Sequence, residues 1–327
     1  MGNLTLVTGG SGFLGQHLIR QLVDRGETVR ALDIAPPAEP LADVQYARGS
    51  VVDRESVRQA LRGVDRIYHL AARSGLWSRD KDAFRKVNLL GTRTVLEEAR
   101  RAGVRRLVLT SSETVLRAGV RGSLGPYPLS KLQAQEEALE AAREGIPLVI
   151  VNPTALIGPG DVRLTPPSRM LLGFLNGEYR FYLKSTLNLI DVRDAALGHI
   201  LAAERGRVGE RYLLAGEDVE TDILLRMLEE MTGLQMTRRR IPYWLALSAG
   251  AVNEFLADHV THRTPAASVA AVRLTRAPMR LNGTRNAREL GLSPRPTRES
   301  LHDALRWFAA RGYLKRRPTR PLRTGEA

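Results

Sequence analysis

The sequence predicts an α/β protein, a doubly wound parallel sheet followed by a smaller, mostly helical C-terminal lobe. Apolar runs with β-branched character recur at Leu4–Thr8, Thr28–Leu32, Arg66–Leu70, Arg106–Thr110 and Pro147–Val151. Amphipathic stretches separate them, at Gln16–Asp24, Ser56–Arg62, Phe84–Arg101 and Ser130–Arg143. Strands that are apolar throughout, alternating with helices, belong to a parallel sheet covered on both faces. Right-handed crossovers then bring ligands to the carboxyl ends of the strands. Each chemical motif in this sequence follows such an end.

The first strand, Leu4-Thr5-Leu6-Val7-Thr8, runs into Gly9-Gly10-Ser11-Gly12-Phe13-Leu14-Gly15, and a helix opens at once. Glycines let the strand turn sharply and let backbone approach a pyrophosphate, while the helix amino terminus offers free N–H groups and positive dipole to the anion. Two registers fit the turn, Gly10/Gly12/Gly15 or Gly9/Gly12/Gly15, and the motifs downstream favour the second. Eighteen residues beyond Gly15 the second strand ends at Asp33. An acid there accepts both ribose hydroxyls of an adenosine and repels a 2′-phosphate. No arginine directly follows it, although Arg30 is near in sequence, so NAD is the expected cofactor and NADP the second choice.

The segment Tyr127-Pro128-Leu129-Ser130-Lys131 places tyrosine and lysine four apart, on one helix face. A free phenol titrates near 10, too high for a base at neutral pH. A neighbouring ammonium and an oxidised nicotinamide both favour phenolate and bring it toward working range. Lys131 can also hold a nicotinamide ribose hydroxyl. Thr110-Ser111-Ser112 ends an upstream strand, and Ser112 is placed to hydrogen-bond the reacting oxygen and hold it against Tyr127.

After Pro153 the pattern loosens. Gly158–Pro167 reads as a long loop, and Asn188–Ile190 with Asp191–Glu204 as a strand and helix that rejoin the sheet. Helices are expected at Thr221–Thr232, Tyr243–Leu256 and Ser300–Arg311. The second of these reads as a core or dimer-packing helix rather than a membrane-surface element. The expected domains are therefore 1–152, with 187–215 rejoining it, for the dinucleotide, and 153–186 with 216–315 for substrate. Residues 316–327, rich in Arg and Pro, are expected to form a loose basic tail.

Composition narrows the function. The chain has 327 residues, 43% of them hydrophobic, enough to bury a sizeable core. With no cysteine it has no disulfide scaffold, no thiolate metal or iron–sulfur site and no cysteine nucleophile, and no metal site is expected. The net charge is +14, carried by 44 arginines and five lysines. These are spread along the chain, and aromatics, at 5%, do not cluster with them as stacking platforms do. Nucleic acid is not the expected partner; an anionic small molecule is. The amino terminus lacks the charged-then-apolar pattern of a secretory signal. The longest apolar run, Ile241 to Val252, is about twelve residues against the ~20 a membrane span needs. The expectation is a soluble, cytoplasmic protein, a homodimer.

The glycine turn, His69-Leu70-Ala71-Ala72, Asn88 in Val87-Asn88-Leu89-Leu90-Gly91-Thr92, Thr110-Ser111-Ser112 and YPLSK together resemble the extended short-chain dehydrogenase/reductases. That family binds NAD(P) on a Rossmann domain. Leu76-Trp77-Ser78-Arg79-Asp80, Val151-Asn152-Pro153-Thr154, Gly158-Pro159-Gly160-Asp161 and Asn286-Ala287-Arg288-Glu289-Leu290-Gly291 are most similar to its hopanoid-associated sugar epimerase and dihydroflavonol-reductase-like branch. The resemblance spans roughly residues 3–314. It implies Ser112, Tyr127 and Lys131 as a catalytic triad, with Gly9, Gly12, Phe13, Leu14, Gly15 and Asp33 on pyrophosphate and adenosine. It further implies Ser50, Val51, Ala71, Ala72 and Asn88 along the cofactor cleft, with Pro153 near the nicotinamide. Arg73, Glu113 and Asn152 are the candidates for substrate contact, Asn152 matching an asparagine that touches substrate phosphate in nucleotide-sugar enzymes. His69 is assigned packing only.

Three departures shape the expected activity. The family's GDxxD reads Gly49-Ser50-Val51-Val52-Asp53, so an adenine contact is weakened. Ser112 and Tyr127 are only fifteen residues apart, which shortens an enclosing loop and opens the mouth of the site. Glu113-Thr114 replaces the Asp-Glu pair of the dehydratases, and threonine cannot be their base. The expected function is hydride transfer between NAD and a secondary alcohol or ketone, with a nucleotide-sugar epimerase as the alternative. A regulator that senses dinucleotide without turnover is the reading from another class; both Tyr127 and Lys131 argue against it.

Overall fold

A computed structural model describes residues 4–117, 119, 121–122, 125–265, 267–277 and 283–322. The chain begins β1 (Leu4–Thr8), α1 (Phe13–Asp24), β2 (Thr28–Asp33), β3 (Val44–Arg48), α2 (Arg54–Ala60) and β4 (Val64–His69). A π-helical turn, Arg85–Leu90, runs directly into α3 (Gly91–Ala102). Then come β5 (Arg106–Thr110), a short 3₁₀ turn (Glu113–Leu116), α4 (Pro126–Arg143) and β6 (Leu148–Pro153). The remainder is β7 (Ala155–Ile157), α5 (Pro166–Leu175), β8 (Thr186–Asp191), α6 (Val192–Arg205), β9 (Arg211–Leu214) and β10 (Glu217–Glu220). It closes with α7 (Thr221–Thr232), α8 (Tyr243–Leu256) and a π-helical turn (Ala257–Thr261), followed by α9 (Val269–Leu274), α10 (Gly283–Leu290) and α11 (Thr297–Ala310).

Among the described residues seven strands form one parallel sheet in the order β3-β2-β1-β4-β5-β6-β9. Successive side chains of a strand point to opposite faces, so Leu6 and Val7 enter different cores. On one face Val7, Val108 and Val149 meet Leu18, Ile19 and Leu22 of α1 and Ala195 and Ile200 of α6. On the other, Leu6, Ile67, Leu107 and Ile150 meet Val57 of α2, Val95 and Leu96 of α3 and Ala138 of α4. The strand order reverses direction at β1/β4, and the carboxyl ends there open the crevice in which such sheets take ligands. The sheet is the Rossmann-type architecture the alternation predicts. Its edge strand β3 escapes the apolar pattern because Val44 alone of its five residues is buried.

A third core lies beside the sheet, where Leu171 and Leu175 of α5, Leu224 and Leu228 of α7, and Leu301, Leu305 and Phe308 of α11 pack together. Three of the sequence expectations need correction here. The strand at 188–190 does not rejoin the main sheet. As β8 it forms a separate small sheet, antiparallel to β10 and parallel to β7, because β9 takes the place beside β6. Only α6 and β9 return to the main sheet. Residues 316–322 are not a loose tail: Thr319 and Arg320 donate their backbone N–H to the Thr232 carbonyl at the end of α7, at 2.8 and 3.2 Å. Leu322 packs on the third core, and the rest of the expected tail lies outside the described residues. Finally, α8 is not a core helix, since only Ala246 and Gly250 of its residues are buried. No helix of the described residues is long and apolar enough to cross a membrane.

Candidate active site

A cleft of about 500 Å³ runs along the carboxyl ends of β1, β2, β4, β5 and β6. Its floor is the glycine turn. Gly9 has φ +73°, and a Cβ there would lie 2.7 Å from the Ala71 backbone nitrogen; a Cβ on Gly15 would lie 2.3 Å from the Gly9 carbonyl oxygen. Such spacing admits no side chain and leaves the α1 amino terminus bare to the cleft, as a pyrophosphate requires. Gly9, Gly12, Phe13, Leu14 and Gly15 all line the cleft. Gly10 instead packs toward Ala31 and Ile19, so the glycines facing the cleft are Gly9, Gly12 and Gly15.

At the β2 end of the cleft the Asp33 carboxylate accepts N–H bonds from Ser11 at 3.0 Å and Ala35 at 3.2 Å. These fix it at the strand end, facing the cleft. Arg30, the nearby cation in sequence, is spent on the Ala60 and Arg62 carbonyls. The guanidinium beside Asp33 comes from far along the chain: Arg163, at 3.9 Å, reaches in from the loop after β7. Ser50 and Val51 line the same end, and Asp53 serves as the N-cap of α2.

At the opposite end Ser112, Tyr127 and Lys131 converge on the cleft beyond β5. Pro126 opens α4 and its fixed φ suits a first helical position, so Tyr127 sits in the first turn, at the cleft, and Lys131 one turn below. Burial pushes the Tyr127 phenol up, the nearby Ser112 hydroxyl opposing and the Glu113 charge adding to the rise. The Lys131 ammonium is directed at the Thr110 carbonyl, 2.8 Å away, and burial draws its own pKa down to about 8. Ser112 Oγ accepts from the backbone N–H and the hydroxyl of Thr114. Phe84 stands edge-on to the Tyr127 ring at 6.0 Å and holds it in place.

Ala71, Ala72, Pro153 and Glu113 also line the cleft. The Glu113 carboxyl, pushed up by burial, is held by Arg117 at 2.6 Å, and Arg117 in turn donates to the Ala277 carbonyl. Three candidates are not where the resemblance puts them. Asn88 is buried and spends its amide on the Arg73 backbone and the Ser130 hydroxyl, so it shapes the wall without lining it. The Arg73 side chain is exposed, outside the cleft lining. Asn152 is wholly buried and is not part of the cleft lining; it donates to the Ser112 carbonyl and to Gln135, each at 2.9 Å, and so steadies Ser112.

His69 joins the two halves of the floor. Its pKa is drawn down to about 3 by burial and the Lys131 charge, so it is neutral. Thr92 gives its hydroxyl proton to the Asn88 carbonyl and so accepts from His69 Nε2, which leaves Nδ1 to accept from Thr8. Sequence reasoning missed the wall built by Leu156, Asp161, Arg163, Thr165 and Leu274. The Gly158-Pro159-Gly160-Asp161 motif was the one signal for it, but nothing local says that its loop folds back over Asp33.

Residues 5–215 match the family described as "NAD dependent epimerase/dehydratase family". A putative dihydroflavonol 4-reductase of Synechocystis sp. is 36% identical over 96% of this chain and 97% of its own. Sterol demethylase protein B of Methylococcus capsulatus is 37% identical, covering 95% of this chain and 99% of its own. Among solved structures, that of gox2253 superposes with a TM-score of 0.81 at 32% identity, over 96% of this chain and all of the other.

Proposed function

The chain belongs to the NAD dependent epimerase/dehydratase family, as an enzyme of the extended short-chain dehydrogenase/reductase type, and from that premise we propose that it interconverts a secondary alcohol and a ketone. The observation that carries the proposal is the meeting of Ser112, Tyr127 and Lys131 at one end of a cleft whose other end fits a dinucleotide. Gly9, Gly12 and Gly15 form a cradle that a Cβ would fill, and Asp33 awaits the adenosine ribose. Bound there, NAD supplies or accepts the hydride at its nicotinamide ring.

The chain's own groups do the rest. Thr114 donates to Ser112 Oγ with its N–H and its hydroxyl, so the serine proton is directed away from Thr114, toward Tyr127 and a substrate oxygen held between them. In the reducing direction that oxygen gains negative charge, which Ser112 stabilises and the Tyr127 proton discharges. A phenol raised by burial is a proton donor at neutral pH. Lys131, anchored on Thr110, offers its remaining N–H groups to the nicotinamide ribose and its charge to the phenolate left behind. Oxidation of an alcohol runs the same steps backward.

The substrate proposed is a ring alcohol or ketone on a hydrophobic skeleton. Leu76, Leu156, Pro166, Pro167 and Leu274 give the cleft apolar walls, and most of them come from residues 153–186 and 216–315, the proposed substrate lobe. The relatives named for a dihydroflavonol and for a sterol point the same way. A nucleotide sugar has less support, because Asn152 is buried behind the lining and Lys131 and Arg163 are the only basic residues among the described lining. Net redox chemistry also needs a cofactor that exchanges each cycle. Denaturing freshly purified protein and assaying the released dinucleotide tests this. The proposal expects a largely empty enzyme; near-stoichiometric release, with nucleotide-sugar isomerisation and no free NADH, moves the function to epimerisation.

A further inference from the structure

Helix α8 and the π-helical turn after it carry an apolar face that none of the described residues covers. Trp244, Leu245, Val252, Phe255, Leu256 and Val260 are all exposed, Trp244 by 67% and Phe255 by 60%. At 100° per residue the five on α8 fall within an arc of about 120°. Single exposed apolar residues are ordinary, but a contiguous stripe of this kind marks an interaction surface.

The charges around the stripe identify what it meets. From Ile241 to His262 the acids are Glu254 and Asp258, and both are turned into the protein. Glu254 accepts from the Val269 N–H at 3.1 Å; Asp258 accepts from the Trp77 indole and from Lys81, each at 2.8 Å. Cations bracket the stripe instead, Arg239 before it and Arg263 after it, in a chain of net charge +14; the flanking Arg238 and Arg240 pair with Glu229 and Asp222. Arg239 and Arg263 are exposed. An apolar face with basic ends and no acid in its arc is complementary to an anionic lipid surface. It is poorly suited to a second copy, since antiparallel pairing about a two-fold axis sets one basic end against the other.

We propose that α8 and its π-helical extension dock this protein on anionic membranes. The docking face is joined to the cleft through one short helix. Gly250 of α8 lies against the Ser268–Val269 backbone at the start of α9, close enough that a Cβ would stand 3.3 Å from the Val269 nitrogen. Leu274, the last residue of α9, lines the cleft, and its carbonyl accepts from Arg117. Docking therefore brings a wall of the cleft next to the lipid phase, where an amphiphilic substrate would be concentrated. The inference goes beyond the proposed reaction and is tested without turnover.

The experiment is co-sedimentation of the full chain with vesicles of phosphatidylcholine alone or with a quarter phosphatidylglycerol. The expected result is binding to the anionic vesicles, weak binding to the neutral ones, and loss of binding by about tenfold or more in Trp244→Ser/Phe255→Ser with NAD binding unchanged. Quenching of tryptophan emission by brominated acyl chains, reduced in Trp244→Phe, gives a second reading if the double variant folds poorly. Equal binding by the double variant, equal binding to neutral vesicles, or no vesicle binding would each overturn the proposal. So would a dimer in sedimentation velocity that the double variant dissolves.

Discussion

Thr114 fills both lone pairs of Ser112, with its backbone N–H at 3.2 Å and its hydroxyl at 3.0 Å from the serine Oγ. A hydroxyl has one proton and two acceptor sites, so this serine is left as a donor aimed at the cleft. The threonine that cannot act as a dehydratase base has a different task here: it sets the direction of the Ser112 proton.

Thr114→Val keeps the backbone bond and removes the hydroxyl donor. Ser112 then regains a free lone pair and a choice of rotamer. Turnover is predicted to fall about tenfold, the worth of one net hydrogen bond, with cofactor affinity unchanged. Steady-state kinetics and a dinucleotide titration on the same preparation check both halves.

Tyr127→Phe removes the proton-carrying oxygen while preserving the edge contact with Phe84. Turnover is predicted to drop by ~10²–10⁴, as for a lost acid/base, and NAD binding to persist. Near-normal turnover would remove Tyr127 from the mechanism.

Asp33 is predicted to make NAD(H) bind about 10–100-fold more tightly than NADP(H), the range of a charge-assisted hydrogen bond. Its carboxylate also holds the Ser11 and Ala35 N–H groups, so Asp33→Asn, which keeps an acceptor, is a cleaner test than Asp33→Ala. The asparagine variant should lose most of the preference by titration.

The Lys131 ammonium, drawn down to about 8, is present below that pH and lost above it. Dinucleotide affinity is predicted to be steady below pH 7 and to weaken as pH rises through 8, while Lys131→Met binds more weakly with no such step. Tyr127, raised by burial, has the opposite consequence for alcohol oxidation, whose rate should still be climbing above pH 8 as phenolate forms. A pH series of binding and of both reaction directions reads these out.

Five strands of the sheet were legible because long strands with buried apolar runs announce themselves; β3, with one buried residue, and the four-residue β9 do not. The glycine turn and the Tyr127/Lys131 spacing were legible for the same local reason, since the turn, the helix and the side-chain face are all set within a few residues. What sequence could not give was distance across the fold. Asn88 and Asn152 carry the right residue types, yet backbone groups 15 and 40 positions away claim their amides. Arg163 reaches Asp33 across 130 positions, which no local pattern encodes. The uncovered face of α8 was hidden by composition: an apolar helix looks the same whether a core, another chain or a lipid surface covers it.

The central claim is net hydride exchange at Ser112, Tyr127 and Lys131, and its most direct test is stoichiometry. The protein is mixed with NADH and a hydrophobic cyclic ketone, nicotinamide absorbance is followed, and the alcohol formed is counted. The account predicts one NADH consumed per alcohol made over many turnovers, abolished in Tyr127→Phe. Isomerisation of a nucleotide sugar with no net change in NADH, by an enzyme that does not reduce the ketone, would contradict it.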